Sequence, residues 1–588
     1  MCVEMLKMDH FESRNKSMTI GTINSCIEWA KSHGSVIDDK VEFRADANQG
    51  TYAVANAQIV EGSVLVTIPH QLLVTTALAE KHFGLKAPTE SNPNALLQLF
   101  LSKMKFSSES CSEIAFFQPF MDVLPLTKDI HSPYFWSREE LTALKGTELL
   151  IKIERNLKKL VKEWFDLITK VNAADDDDTE FYLQSSSNPQ FQLSDYSGQS
   201  EDFTWHSFTA YLWSAYIVSS RAFPELILEH PDLKDINQAF LYPVVDFFNH
   251  HNGQKVQWQL NKDTNGVSFS SGDQIERGEE IFNNYGDKSN EELLLNYGFA
   301  MPNNENDLST LTLRLPPGQL ESLVSWDLVI SDQNLAENSV NFVLTVDSPL
   351  PMSLVKLFGI LSKLTSENFV TWRSVLEGTE RLNAIIDQKL DFFKDATKLR
   401  VSLKSPIRSK STKAYLAGQK RIFQESSDFI KKFQRKVVKD LKPVSFKSIF
   451  KADKPFVNTL TLTFGIMKYE DLLSKGFLQQ ALLLWIVRAY NMSSREGANL
   501  ALPQFIIDCF EDVKSNMVIE KDDVQEYLAF YKSMFPQLST KIPEIYGKGD
   551  WSIKNFIVAG TVIDRLVWIL PASQEAFFLE RKRYDLLS

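Results

Sequence analysis

The sequence predicts an α+β chain in which a small β core is interrupted by one block of helices and followed by another. Three observations predict it. Short β-patterned runs occur in two clusters, at about residues 40–70 and 241–286. A helical pattern fills the stretch between them, from about Leu72 to Glu229, and returns beyond about residue 310. The chain has 588 residues, 44% of them hydrophobic, which is enough for two or more cores.

The elements follow in order. Residues 1–20 are polar and read as a mobile N-terminus. In TINSCIEWAKSHG, Ile23, Ile27 and Trp29-Ala30 fall near helical spacing, and Gly34 suits a stop. VEFRADANQGTYAVANAQIVEGSVLVTIP reads as short strands: Val64, Val66 and Ile68 alternate with Leu65 and Thr67, and Gly50 and Gly62 mark turns. NALLQLFLSKMKF and LLIKIERNLKKLVKEWFDLI are helical, and the acidic, serine-rich segment 173–200 reads as a surface loop. VQWQL puts Val256, Trp258 and Leu260 on one face, Asn265-Gly266 turns into VSFS, and Glu276-Arg277-Gly278 turns into EEIFNNYG. Ser289-Asn290-Glu291-Glu292 is a capping box, and Gly298 ends its helix. The expected divisions are 21–75 and 236–300 for the β-rich core, 76–235 for the helical insert and 301–588 for the helical domain.

Composition narrows the function. A net charge of −12 argues against a general nucleic-acid binder, although residues 398–454 form a local basic run. Four dispersed cysteines without a CxxC pair read as reduced thiols of an intracellular protein. The N-terminus lacks an apolar signal region, and ALLLWIVRAY is too short to span a bilayer. A cytoplasmic protein is expected, with the nucleus as the other compartment and no membrane partner.

The chemistry concentrates in two places. YPVVDFFNHH, residues 242–251, is an apolar run holding one acid, Asp246, and closing on Asn249-His250-His251. Adjacent side chains of a strand point to opposite faces, and no further ligand stands at zinc spacing, so no metal is expected. The plain alternative is that Asn249-His250 caps a strand before the Asn252-Gly253 turn. Downstream, Tyr285 and Tyr297 belong to paired Tyr-Gly motifs on either side of the capped helix. A lone tyrosine is usually core; the pair, placed after DFFNH, points to a site. Gly50 in ANQGTYA lacks a Rossmann or P-loop pattern, and no Gly-x-Ser-x-Gly elbow appears.

In order, SRAF (Ser220 to Phe223), VVDFFNHH and GEEIFNNYGDKSNEELLLNYGF resemble the SET-domain protein-lysine methyltransferases. NQGTYAVANAQIVEGSVLVTIP resembles their first SET segment, FFQPFMDVLP with SPYFWSREELTALKGTEL the start of their helical insert, and AYLAGQKRIF a pattern in their C-terminal domain. The branch is that of the Rubisco and ribosomal-protein lysine methyltransferases, most like the fungal enzymes. The resemblance implies a β-rich SET domain with a knot-like crossing and a helical insert, followed by an all-α substrate-binding domain. It implies S-adenosylmethionine as cofactor, bound by Asn249 and His250, with Asn48-Gln49-Gly50 as a second contact in a stretch less glycine-rich than the family's. Tyr285 matches the catalytic tyrosine, which also contacts cofactor, and Tyr297 a wall of the lysine channel. Arg221 matches a position near cofactor and substrate, and Asp246 one near substrate; a buried ion pair is the alternative for these two. A ribosomal protein is the implied substrate, with elongation factor 1A or cytochrome c as alternatives. Two other classes remain open: a non-catalytic SET-fold binding module, and a metal hydrolase using the His pair. The basic run suits either a solvated face or contact with RNA or an acidic surface.

Overall fold

The computed structural model describes residues 19–46, 50–87, 92–108, 111–187, 204–229, 235–262, 265–324, 326, 328, 330–396, 401–493 and 503–584. Residues 1–18 of the expected mobile N-terminus, Asn48 and Gln49, and residues 188–200 of the acidic segment lie outside them. The chain forms two compact units, Met1–Ser309 with Phe392–Arg421, and Thr310–Asp391 with Ile422–Ser588.

The first unit opens with α1 (Ile20–Ser32), which the Thr19 hydroxyl caps by accepting from the Thr22 N–H; its buried side includes Ile23, Cys26 and Trp29. Strands β1 (Val36–Ile37), β2 (Val41–Asp46), β3 (Gly50–Ala55) and β4 (Val64–Pro69) follow. The insert is built on α2 (Ala95–Phe106), α3 (Glu148–Lys170), α4 (Asp176–Ser187) and α5 (Phe208–Arg221). In α3, Leu149, Ile153, Leu157, Val161, Trp164 and Ile168 recur at helical spacing and are the buried side. Helices α2 and α5 are buried around most of their circumference, as a helix inside a bundle must be. After them come β5 (Ala222–Pro224), β6 (Ala239–Leu241), β7 (Val256–Asn261), β8 (Gly266–Ser271) and β9 (Glu280–Ile281). The two strand clusters share sheets, in the orders β1-β4-β8-β7 and β2-β3-β9, with β5-β6 as a third; every pairing is antiparallel.

Three local expectations fail for physical reasons. YPVVDFFNHH is not a strand: Val244 sits at φ +72, ψ −44, and Val245–Phe247 form a short 3-10 turn. EEIFNNYG is a strand only at Glu280–Ile281, so Tyr285 lies beyond it rather than at its end. The acidic segment is not wholly a loop, because Asp176–Ser187 is helical. Asp175 and Asp178 cap that helix reciprocally, with acids favoured at its positive end. Phe181 anchors it against Trp164 and Phe208, at 5.7 and 5.4 Å between ring centres.

The second unit is mostly helical. Its core gathers Phe446, Phe456, Trp485, Phe556 and Phe578. It is not wholly α: β10 (Leu308–Arg314) pairs with β11 (Ser339–Thr345), and β12 (Val444–Ser445), β13 (Val567–Leu570) and β14 (Glu575–Phe578) form a sheet with β14 in the centre. Lys431, Lys432, Arg435 and Lys436 stand exposed on the long helix α6 (Pro406–Leu441).

A buried ion pair ties residues 392–421 into the first unit. The Arg408 guanidinium donates to both Glu140 oxygens, at 3.0 and 2.8 Å, and to the Ile130 carbonyl at 2.8 Å. Glu140 also accepts from the Lys404 N–H at 2.9 Å, and the two side chains are 5% and 3% exposed. Such a pair adds little against an apolar replacement, but breaking it strands a buried charge. Arg408→Met is expected to cost about 3–5 kcal/mol, read as a lowered midpoint in denaturant, and adding Glu140→Gln should recover part of that loss.

Candidate active site

The site is built where two chain segments cross. The Asn249 carbonyl accepts from the Asn283 N–H at 2.7 Å, and the His251 N–H donates to the Asn283 carbonyl at 3.1 Å. These two bonds make a parallel bridge between His250 and Asn283. Side chains lock it. Asn249 Nδ2 donates to Glu280 at 2.9 Å, and the Tyr285 N–H donates to His250 Nδ1 at 3.0 Å. That donor fixes the histidine tautomer: Nδ1 is bare, so the proton sits on Nε2 and goes to Asn252 Oδ1 at 2.8 Å. Burial lowers the His250 pKa and keeps the ring neutral, as the bond from Tyr285 requires.

Tyr285 stacks between two rings. His250 lies 5.0 Å from it and Tyr297 4.8 Å, tilted by 21° and 16°. Its hydroxyl donates to the Phe248 carbonyl at 2.9 Å. Tyr297 ends a π-helical turn, Leu293–Tyr297, that follows the Ser289 capping box. Two features hold this turn. Asn290 is fully buried and bonds to Asp307 and Met301, and Ser132 Oγ donates to the Leu295 carbonyl at 2.5 Å. Gly298 closes the turn at φ +81, where a Cβ would lie 3.0 Å from the Ser132 nitrogen. Farther along, Gly418 lets α6 approach the same support, since a Cβ there would lie 2.0 Å from Asp307 Oδ2.

Arg221, the last residue of α5, donates to Asp246 Oδ2 at 3.0 Å and to the Asp246 carbonyl at 3.3 Å. The Asp246 side chain is 0% exposed and that of Arg221 is 21%. Burial pushes the Asp246 carboxyl up to about 6 against the pull of Arg221. Its Oδ1 is buried with no hydrogen-bond partner of good geometry among the described residues, although the Val244 and Asp246 backbone act on the carboxylate. Burial likewise pushes Tyr297 and Tyr216 up to about 12, and Tyr285 further still. The charges of Arg221 and Asp246 and the hydroxyls of Tyr216 and Tyr297 all act on Tyr285, so the five side chains form one cluster.

The structure therefore brings together Tyr285, Tyr297, Asn249, His250, Arg221 and Asp246. Gly50, at φ +72, begins β3, and the paired strand β2 packs Phe43 edge-on against Phe247 and Phe248, just before Asn249. Sequence reasoning missed Tyr216, Glu280 and Ser132. Tyr216 had a signal, standing one helical turn before the SRAF motif; Glu280 and Ser132 act across chain crossings that spacing does not reveal. Asp175, Asp178 and His206 also gather in the insert, where they cap α4 and pair at 2.7 Å.

The comparisons agree with this geometry. The SET domain family matches residues 50–286, and the EFM1 middle domain family matches residues 308–441. The chain is 39% identical to protein-lysine N-methyltransferase EFM1 of Saccharomyces cerevisiae, over 96% of this chain and 99% of that protein. It is 26% identical to ribosomal lysine N-methyltransferase 1 of the same yeast, over 80% of this chain and 87% of that one. A solved SET domain of LSMT bound to lysine and AdoHcy matches 71% of the chain and 92% of that structure, with a TM-score of 0.50 and 20% identity, a likeness of fold. With an α+β SET fold around this crossing and one such relative aligned almost end to end, the chain belongs to the SET-domain protein-lysine N-methyltransferases, enzymes that use S-adenosylmethionine.

Proposed function

We propose that the chain methylates a lysine of elongation factor 1A. A ribosomal protein was the first expectation and the elongation factor an alternative. The relative that aligns from end to end is not one named for ribosomes, and the ribosomal enzyme is a more distant match, which favours the alternative. The net charge of −12 suits encounter with a basic protein surface.

In this reading Asn249 and His250 hold the cofactor, with Asn48, Gln49 and Gly50 as a second contact. The donor set fits. Asn249 Nδ2 is committed to Glu280, which leaves Oδ1 as an acceptor for an ammonium group, and the Glu280 carboxylate adds negative charge beside it. S-adenosylmethionine, when bound, supplies a methyl group on a cationic sulfur. The residues of this chain do the rest. The lysine amine must be neutral to attack, although its ordinary pKa is about 10.4. A buried aromatic channel lowers that value, and the face of Tyr297 receives the incoming cation. The Tyr285 hydroxyl donates its proton to the Phe248 carbonyl and so keeps its lone pairs as acceptors, which would take an N–H···O contact from the amine and a C–H···O contact from the methyl. Its raised pKa keeps it a hydroxyl, so it positions the amine, and the proton leaves to water. Asp246 Oδ1 offers a further acceptor beside the channel, and Arg221 holds that carboxylate in place.

The observation that carries this reading is the locked, doubly stacked Tyr285. Tyr285→Phe keeps the ring and removes the hydroxyl. It is expected to fold, to bind cofactor with unchanged affinity in calorimetry, and to lose roughly ten-fold or more in kcat, about 1.4 kcal/mol or more of transition-state stabilisation. A full rate at saturating cofactor would remove Tyr285 from the role.

Asp246 gives a pH signature. Its folded pKa is raised from 3.8 to about 6, so its contribution to stability is full below about 3.8 and is lost as pH rises through about 6. Asp246→Asn should flatten the pH dependence of the unfolding midpoint across that window. The target itself is tested by mass spectrometry of elongation factor 1A and ribosomal proteins from cells lacking the gene. One methyl mark should vanish from elongation factor 1A; a loss confined to a ribosomal protein restores the first expectation.

A further inference from the structure

A cavity of about 260 Å³ lies in the helical insert, beside the residues proposed for the lysine channel. It is smaller than the ~300–1,000 Å³ of typical small-molecule sites and has room for a single side chain. Its walls include Asn156 and Lys159 of α3, Tyr216 and Ser219 of α5, Tyr134 and Asn296. Two of these connect it to the channel: Asn296 directly precedes Tyr297, and Tyr216 lies within electrostatic range of Tyr297 and Tyr285. A chain whose lysine enters beside Tyr297 therefore carries a neighbouring residue over this cavity.

Asn156 Nδ2 donates to the Tyr134 oxygen at 2.8 Å, which leaves the Tyr134 O–H as a donor. The Asn296 amide makes no hydrogen bond to the described residues, and Lys159 is exposed with no ion-pair partner among them. Lys159 is also the one charged side chain in the lining. The nearest acid on the same helix, Glu163, does not line the cavity and is held underneath by Tyr211 and Asn92. Donors of Tyr134 and Asn296 thus line the same cavity as one cation that has no ion-pair partner among the described residues. We propose that the cavity receives the acidic side chain of a residue flanking the target lysine, with Lys159 as its counter-charge. An aspartate or glutamate would accept from Tyr134 and Asn296 while pairing with Lys159, and a basic residue there would meet like charge. The selectivity arises at the edge of the insert and needs no contact with the cofactor. It rests on the reading that Tyr297 lines the lysine channel, but not on which protein is the target.

The test uses the full chain, labelled S-adenosylmethionine and a peptide array with a central lysine and each flanking position varied in turn. The expected result is a several-fold preference for Asp or Glu at one flanking position. Lys159→Glu should shift that preference to Lys or Arg at the same position, with cofactor affinity unchanged, and Lys159→Gln should abolish it in either direction. Equal transfer whatever the flanking charge overturns the proposal, as does an acidic preference that survives in Lys159→Glu. Transfer to intact protein with none to any peptide also counts against it, because a flanking pocket must act on a short segment. The array presupposes no particular protein, so an error about elongation factor 1A leaves the result readable. Failure of the channel reading would show instead as full activity in Tyr297→Ala.

Discussion

The bond from the Tyr285 N–H to His250 Nδ1 is the constraint on which the site depends. It joins two segments separated by three strands in sequence, β7 to β9, and makes the backbone of one the partner of a side chain on the other. It also dictates a protonation state. A charged imidazole would present a proton at Nδ1 and repel the amide that now donates there. Burial pushes the ring the same way, so electrostatics and geometry agree on a neutral histidine. With the backbone fixed at Tyr285, its hydroxyl reaches the Phe248 carbonyl of the other segment, and the crossing is tied on both sides of the ring.

The helical parts of the first unit complete this arrangement rather than merely surrounding it. Tyr297 is carried by a π turn, a geometry short of ordinary helical bonding and common at functional positions. Such a turn needs support, and it comes from far along the chain. Ser132 of the insert holds the Leu295 carbonyl, and Asp307 holds Asn290, while Gly418 permits α6 to come close to Asp307. This gives a physical reason for two stretches whose pattern was visible but whose purpose was not: SPYFW begins beside the Tyr297 turn, and AYLAGQ needs a small residue where it meets a buried carboxylate.

What could be read in the sequence divides along the same line. The α1 helix, strands β4, β7 and β8, the capping box and the Gly298 stop were legible because each is decided by local spacing and turn chemistry. The candidate residues were legible because motif order singled them out, although their partners were not. The acidic run beginning α4 was misread because its helix depends on reciprocal caps and on Phe181 packing against Trp164, and composition shows neither. The Lys159 cavity was invisible for a similar reason. On α3 alone Lys159 is one of many exposed lysines, and it gains meaning only beside Asn296 and Tyr216.

YPVVDFFNHH shows why a strand-like composition need not give a strand. Continued as a strand, the run would alternate its side chains between two faces, and Asp246 would share a face with Val244 and Phe248. Instead Val244 takes a positive-φ conformation close to that of a classic γ-turn, unusual for a β-branched residue and worth about 1–3 kcal/mol of strain. The tight turn after it sends Phe247 and Phe248 together onto Phe43 and leaves Asp246 facing Arg221. Complete burial of Val244 and of both phenylalanines, at 0–2% exposure, is enough to offset strain of that size. The chain then reaches Asn249 with its carbonyl already aimed at Asn283, so the crossing begins from a backbone that hydrophobic packing has bent. The apolar letters of the run thus supply the force, and the polar residues among them, Asp246, Asn249 and His250, carry the ion pair and hydrogen bonds that lock the crossing.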